Sequence, residues 1–230
     1  VFFMIDFKYL SSANEERIYD YLNNLANYQG CICAKSYIRF LNSSSVSSID
    51  IYIDGNIVAS ALETGIMTDF MVIYPKEYNI DIYAAGETES PLLTQTISIN
   101  KNSSYTAVIA GETIDYLHIR KERKQDVPPF REAVITYSNF SPTIGKVDLY
   151  LSDGTAIYKN IGFSDTIPNI LLFPTEEVFE IRSAATQEII ASTPVVQLQR
   201  ATYYSLFSIL EGGQTKLIIT LSGLNYLDLC

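Results

Sequence analysis

The sequence predicts an all-β protein, two tandem antiparallel β-sandwiches behind a short N-terminal extension. Three observations carry this: residues 37–230 repeat themselves, the repeated segments alternate apolar and polar side chains, and turn residues interrupt them about every ten positions.

The repeat comes first because it sets the architecture. Ile38-Arg39-Phe40-Leu41-Asn42 aligns with Ile135-Thr136-Tyr137-Ser138-Asn139, an offset of 97, and Ile49-Asp50-Ile51-Tyr52-Ile53 with Val147-Asp148-Leu149-Tyr150-Leu151 at 98. Asp54-Gly55 then falls on Asp153-Gly154, Met71-Val72-Ile73-Tyr74-Pro75 on Ile170-Leu171-Leu172-Phe173-Pro174, and Ile80-Asp81-Ile82 on Phe179-Glu180-Ile181, all at 99. Tyr105-Thr106-Ala107-Val108 corresponds to Tyr203-Tyr204-Ser205-Leu206 at 98.

Each segment reads as a strand. In Ile49-Asp50-Ile51-Tyr52-Ile53 the isoleucines share one face and Asp50 and Tyr52 the other, the pattern of a half-buried strand. Asp54-Gly55 supplies the positive φ of a tight hairpin, with Ile57-Val58 beginning the return. Pro75 and Pro174 follow apolar runs, so they mark strand ends, where a ladder can spare a donor. About seven short strands per copy place both copies in the immunoglobulin-like class.

Four segments follow: an extension over 1–36, copy one over 37–119, a linker over 120–132 and copy two over 133–230. Within the extension, Ser12-Ala13-Asn14-Glu15 is a capping-box pattern, and Ile18, Leu22 and Leu25 recur at helical spacing, predicting a helix over 13–26 ended by Gly30. Its apolar stripe packs on its own chain, with a homo-oligomer contact as the alternative. The apolar start Val1-Phe2-Phe3-Met4-Ile5 meets Asp6 and Lys8 and has no basic n-region or small-residue cleavage motif, so no signal peptide is expected there. Arg120-Lys121-Glu122-Arg123-Lys124 running into Pro128-Pro129 reads as a solvated, stiffened linker.

Charge narrows the partners. The formal net charge of -10 would repel phosphate backbones, so nucleic acid is excluded. Residues 37–119 hold Arg39, Lys76 and Lys101 against ten carboxylates, a solvated acidic face or one that binds cations or a basic partner. No apolar run is long enough to span a bilayer. Cys31, Cys33 and Cys230 form no disulfide framework or zinc spacing and are expected as reduced thiols.

No residue is assigned a catalytic, cofactor-binding or metal-binding role. The single histidine, His118, lacks a nucleophile motif, and no Walker loop, G-x-G-x-x-G, H-E-x-x-H or EF-hand loop occurs. Asp50 with Asp54, and Asp148 with Asp153, recur near hairpin turns; calcium needs more converging oxygens than such a pair supplies, so turn-forming and strand-capping roles are favoured. Seventeen tyrosines suit pleated surfaces, and Tyr203 and Tyr204 are candidates for an exposed contact stripe.

The repeated pattern is an apolar strand running into Asn-Ser or Asn-x-Ser-Pro, then an alternating Val/Ile-Asp-Leu/Ile-Tyr strand and Asp-Gly. It resembles the bacterial family known as domain of unknown function 4397. Asp50, Tyr52, Asp54 and Gly55, and Asp148, Tyr150, Asp153 and Gly154, carry the resemblance. Asn139-Phe140-Ser141-Pro142 keeps the serine and proline of the family motif, and Asn42-Ser43-Ser44-Ser45 keeps only its polar start. The resemblance implies tandem immunoglobulin-like sandwiches at a cell or spore surface and brings no catalytic residues. The function expected is a non-enzymatic structural or interaction protein with a protein or glycan partner. The alternative is a carbohydrate-active or other hydrolase using loop carboxylates.

Overall fold

The computed structural model describes residues 35–111, 114, 116–122 and 131–226. Its first eight strands are β1 (Ser36–Ser44), β2 (Ser48–Ile53), β3 (Asn56–Glu63), β4 (Met71–Ile73), β5 (Glu77–Ala84), β6 (Leu93–Ser98), β7 (Ser104–Gly111) and β8 (Tyr116–Glu122). They form two sheets, β4-β1-β7-β8 and β3-β2-β5-β6. Ile38, Phe40, Tyr105, Ala107 and Ile109 from the first sheet meet Ile49, Ile51, Ile53, Tyr78, Ile80 and Ile82 from the second in one core. Alternation produces this directly, since every second residue of each strand points into the gap between sheets. Asp54 and Gly55 both take positive φ, 48° and 76°, and join Ile53 to its ladder partner Asn56 in a two-residue hairpin.

The remaining strands are β9 (Ala133–Asn139), β10 (Val147–Leu151), β11 (Ala156–Ile161), β12 (Thr166–Leu172), β13 (Glu176–Glu177), β14 (Phe179–Ser183), β15 (Ile189–Ser192), β16 (Val196–Gln197), β17 (Tyr203–Glu211) and β18 (Gln214–Leu221), followed by a 3-10 turn, Gly223–Tyr226. Their sheets, β12-β9-β17-β18 and β11-β10-β14-β15, repeat the order of the first half, with the two-stranded ribbon β13-β16 added. All pairings are antiparallel except β1 with β7 and β9 with β17, where the opening strand of each sandwich returns beside its penultimate long strand.

The ladders correct the repeat by one residue at β7 and β17. Ile38 pairs with Tyr105, and its counterpart Ile135 pairs with Tyr204, so Tyr105 corresponds to Tyr204 rather than Tyr203. The chemistry agrees: Asn100 donates its amide to Tyr105 Oη at 2.9 Å, and Gln199 its amide to Tyr204 Oη at 3.0 Å, each five residues upstream. This bond ties the connection entering the strand to the strand itself, as in a tyrosine corner. A one-residue shift exchanges the faces of a strand, and Tyr203 therefore points away from the core. Neither tyrosine forms an exposed stripe; each is 7 % exposed.

Strands β7 and β17 depart from half-buried alternation. Every residue of β7, and all of β17 up to Leu210, is buried. Their outward sides face each other: Leu41, Val108 and Ala110 of the first half form one apolar cluster with Phe140, Phe207 and Ile209 of the second. The sandwiches thus pack back to back as four layers, with sheets β3-β2-β5-β6 and β11-β10-β14-β15 outermost. This also corrects the reading of 120–132 as solvated linker, because Arg120, Lys121 and Glu122 belong to β8 and Arg120 and Glu122 are buried. The expected helix over 13–26, its homo-oligomer contact, residues 123–130 and all three cysteines lie outside the described residues.

Candidate functional site

Between the sandwiches sits a charged cluster centred on Glu122, whose side chain is 1 % exposed. Its Oε1 lies 3.4 Å from Arg120 Nη2 and 3.8 Å from Arg39 Nη2, and accepts Ser205 Oγ at 2.9 Å. Oε2 accepts Ser104 Oγ at 2.8 Å, Ser222 Oγ at 2.6 Å and the amide of Gly223 at 3.0 Å. Burial alone would push this carboxyl up; Arg120, Arg39 and the serine hydroxyls outweigh it, leaving Glu122 below the ordinary glutamate range. Arg39 reaches across the boundary to Thr220 Oγ1 and the carbonyl of Leu221, at 3.4 and 3.2 Å. Phe207 takes the guanidinium of Arg120 over its ring at 4.9 Å.

Around this cluster the fit is close. Ser43 Oγ donates to Phe140 O at 3.0 Å and accepts the amide of Leu210 at 2.9 Å. His118 lies in the same seam, its ring 5.4 Å from Phe140 and 5.8 Å from Phe163, and burial lowers its pKa. The only histidine therefore packs at the boundary between the copies. A Cβ on Gly223 would stand 2.1 Å from Ser104 Oγ, and one on Gly65 2.4 Å from Glu211 Cγ, so at both positions the absence of a side chain permits the approach.

The recurring aspartates serve the backbone. Ala61 and Asn160 take positive φ, 50° and 59°, where β3 and β11 slip register against β2 and β10. Asp50 Oδ1 accepts the Ala61 amide at 2.7 Å and Asp148 Oδ1 the Asn160 amide at 2.8 Å, so each carboxylate clamps the irregularity beside it. Their second oxygens accept the Gly86 amide at 2.9 Å and Gln187 Nε2 at 3.0 Å. Desolvation raises the Asp148 carboxyl, but Gln187, the Asn160 amide and Lys159 bring it below its ordinary value. Asp54 accepts the Asn79 amide at 2.9 Å and Lys76 Nζ at 2.7 Å, and Asp153 the Thr155 amide at 2.8 Å. Among the described residues no group of three or more His, Cys, Asp or Glu side chains converges as a metal site.

The outer faces differ between copies. On copy one, Tyr52 and Tyr83 meet edge to face at 5.3 Å, beside Asp81, which accepts Thr94 Oγ1 at 2.5 Å and Asn79 Nδ2 at 3.1 and 3.2 Å. On copy two, Arg182 stands in the place of Tyr83, its guanidinium 4.5 Å from the ring centre of Tyr150 and its Nη2 2.6 Å from Glu180 Oε2.

The family model described as Domain of unknown function (DUF4397) matches residues 36–150, from the start of β1 to Tyr150 in β10. The chain belongs to the DUF4397 family. Within this DUF4397 protein the motif acquires a structural reason: its Asp clamps the bulge and its Asp-Gly turns the hairpin. The Asn opening the polar segment is also structural, since Asn42 Nδ2 donates to Leu62 O at 3.0 Å and Asn139 Nδ2 to Gly162 O at 3.2 Å.

No curated protein matches the chain. Among solved structures, a family 26 carbohydrate-binding module of Eubacterium rectale Amy13K, in complex with maltoheptaose, shares 11 % identity over 81 % of this chain and 96 % of that one, with a TM-score of 0.25. A Bacteroides ovatus protein provisionally assigned to cell adhesion shares 12 % over the same two proportions, also at 0.25. The Bacillus anthracis TIE protein shares 8 % over 80 % of this chain and 34 % of its own, at 0.24. Superpositions this loose carry no argument about function.

Proposed function

We propose that this DUF4397 protein is a non-enzymatic structural or interaction protein that holds two sandwiches rigidly back to back and presents their outer sheets to a protein or glycan partner at a bacterial cell or spore surface. The observation that carries this reading is the commitment of its buried charge. Glu122, a carboxylate buried between the sandwiches, has both oxygens engaged by Arg39, Arg120, three serines and a backbone amide, an arrangement that fixes an orientation and leaves the carboxylate committed rather than ready to transfer a proton. Asp50, Asp54, Asp148 and Asp153 are likewise held by donors close to their own turns and bulges. The surface setting is supported by the family resemblance.

The test is retention of the immobilised chain's partners from a glycan array and from cell-wall and spore-coat extracts, compared with a Tyr52→Ala/Tyr83→Ala variant. Binding that depends on the outer sheets is expected. Turnover of a polysaccharide or peptide panel, lost on neutralising a surface carboxylate, would establish the hydrolase alternative instead.

A further inference from the structure

Among the described residues, copy two supplies from its own strand a guanidinium at a place where copy one has none. The ladders pair Tyr150 with Glu180 and Asp148 with Arg182; the same ladder in copy one pairs Tyr52 with Asp81 and Asp50 with Tyr83. Ring, carboxylate and clamp aspartate are thus retained, and the arginine has become a tyrosine. In copy two the guanidinium lies over the Tyr150 ring and donates Nε and Nη2 to Glu180 Oε2 at 3.1 and 2.6 Å. In copy one Tyr83 adds a second ring at the edge of the first, and Asp81 is held by Thr94 and Asn79. Three accepted bonds leave the carboxylate room for another donor.

The surrounding charge points the same way. Of the three basic residues in 37–119, Arg39 is buried between the sandwiches, Lys76 pairs with Asp54 at 2.7 Å and Lys101 lies exposed just before β7, while Glu77, Glu87 and Glu89 are exposed. A guanidinium suits such a site better than an ammonium because it stacks flat on an aromatic ring while its N–H fork engages a carboxylate.

We propose that the outer face of β2, β5 and β6 binds an arginine side chain from a basic segment of a partner protein, at Tyr52, Tyr83 and Asp81, reproducing between molecules what Arg182 does within copy two. This rests on the interaction role proposed above and names the partner's chemistry.

The probe is an acetylated, amidated tetra-arginine peptide titrated by calorimetry and by NMR, with the tetra-lysine peptide beside it. The wild type is expected to bind the arginine peptide saturably and at least several-fold tighter than the lysine peptide. Tyr83→Arg, which rebuilds the copy-two arrangement, should weaken binding at least ten-fold, whereas Ser98→Arg, adding the same charge away from the rings, should weaken it far less. Arg182→Tyr should create a second site. Equal loss in Tyr83→Arg and Ser98→Arg, or equal affinity for both peptides, would overturn the proposal by showing only diffuse attraction to acidic surface. Retention of a glycan by this face without arginine binding would remove the inference and leave the interaction role standing.

Discussion

Glu122 and Arg120 sit two residues apart on one face of β8, 3.4 Å from Nη2 to Oε1, and both are buried against the other sandwich. A desolvated carboxylate is tolerable only when paired and hydrogen-bonded, and the partners of Glu122 span the boundary: Ser205, Ser222 and Gly223 of copy two complete the shell begun by Arg39, Ser104 and Arg120 of copy one. Glu122→Gln keeps the shape and removes the negative charge that the guanidinium groups of Arg39 and Arg120 both face. A loss of about 3–5 kcal/mol is expected, read as a lower urea midpoint.

The same carboxylate sets an acid limit. Because its folded pKa lies below the ordinary value of 4.5, its contribution is complete above that pH and is lost as pH falls through the folded value. Wild-type stability should therefore decline below about pH 4.5 more steeply than that of Glu122→Gln. Urea titrations of both proteins between pH 3 and pH 7 would measure this; parallel curves would remove Glu122 as the cause.

The clamp aspartates should respond unequally. Asp50→Asn leaves one of two backbone amides, Ala61 or Gly86, facing an NH2 group, at about 1–3 kcal/mol for the unsatisfied donor. Asp148→Asn should cost less, because its second partner is the carboxamide of Gln187, which can rotate to present oxygen. Thermal denaturation of the pair would rank them.

Close approach across the boundary makes a third test. Gly65 has φ of +83° and no room for a Cβ beside Glu211, so Gly65→Ala combines backbone strain with a clash between sandwiches. Pairing it with Glu211→Ala removes the Cγ and Oε1 contacts but keeps the Cβ of residue 211, 2.7 Å from the added methyl, so it should recover part of the clash and leave the strain. The double-mutant cycle on urea stability would then show a non-zero coupling energy; strict additivity would mean that the two residues do not touch in solution.

The tyrosine corners predict a matched pair. Tyr105→Phe and Tyr204→Phe each remove one acceptor from an upstream amide, at about 1 kcal/mol apiece, and the two losses should add because the sites lie in different cores.

The architecture was legible because it depends on neighbours: alternation marks strands, Asp-Gly marks a hairpin, and a repeat of both marks two sandwiches. The boundary was not legible, because its polar residues look like any solvent-facing set. Arg39 contacts Thr220 at a separation of 181 residues and Glu122 contacts Ser222 at 100, distances over which no periodicity speaks. A signal did exist in Val108-Ile109-Ala110 and in Leu206-Phe207-Ser208-Ile209-Leu210, where alternation gives way to the continuous burial of a strand covered on both sides. Likewise Leu117-His118-Ile119-Arg120-Lys121-Glu122 alternates as a strand does, a pattern masked by its charge. The shift of Tyr105 to Tyr204 escaped because either of two adjacent tyrosines satisfies composition, and only the ladder distinguishes them.

Back-to-back packing also changes how the chain opens. Were the sandwiches beads on a string, amide exchange would divide the molecule into an early half and a late half along the sequence. With β1, β7, β9 and β17 in the two inner layers, the slowest amides should instead come from both halves together, and the fastest from the outer edge strands β3, β6, β11 and β15. The map of local opening would then follow depth in the stack and ignore the duplication that produced it.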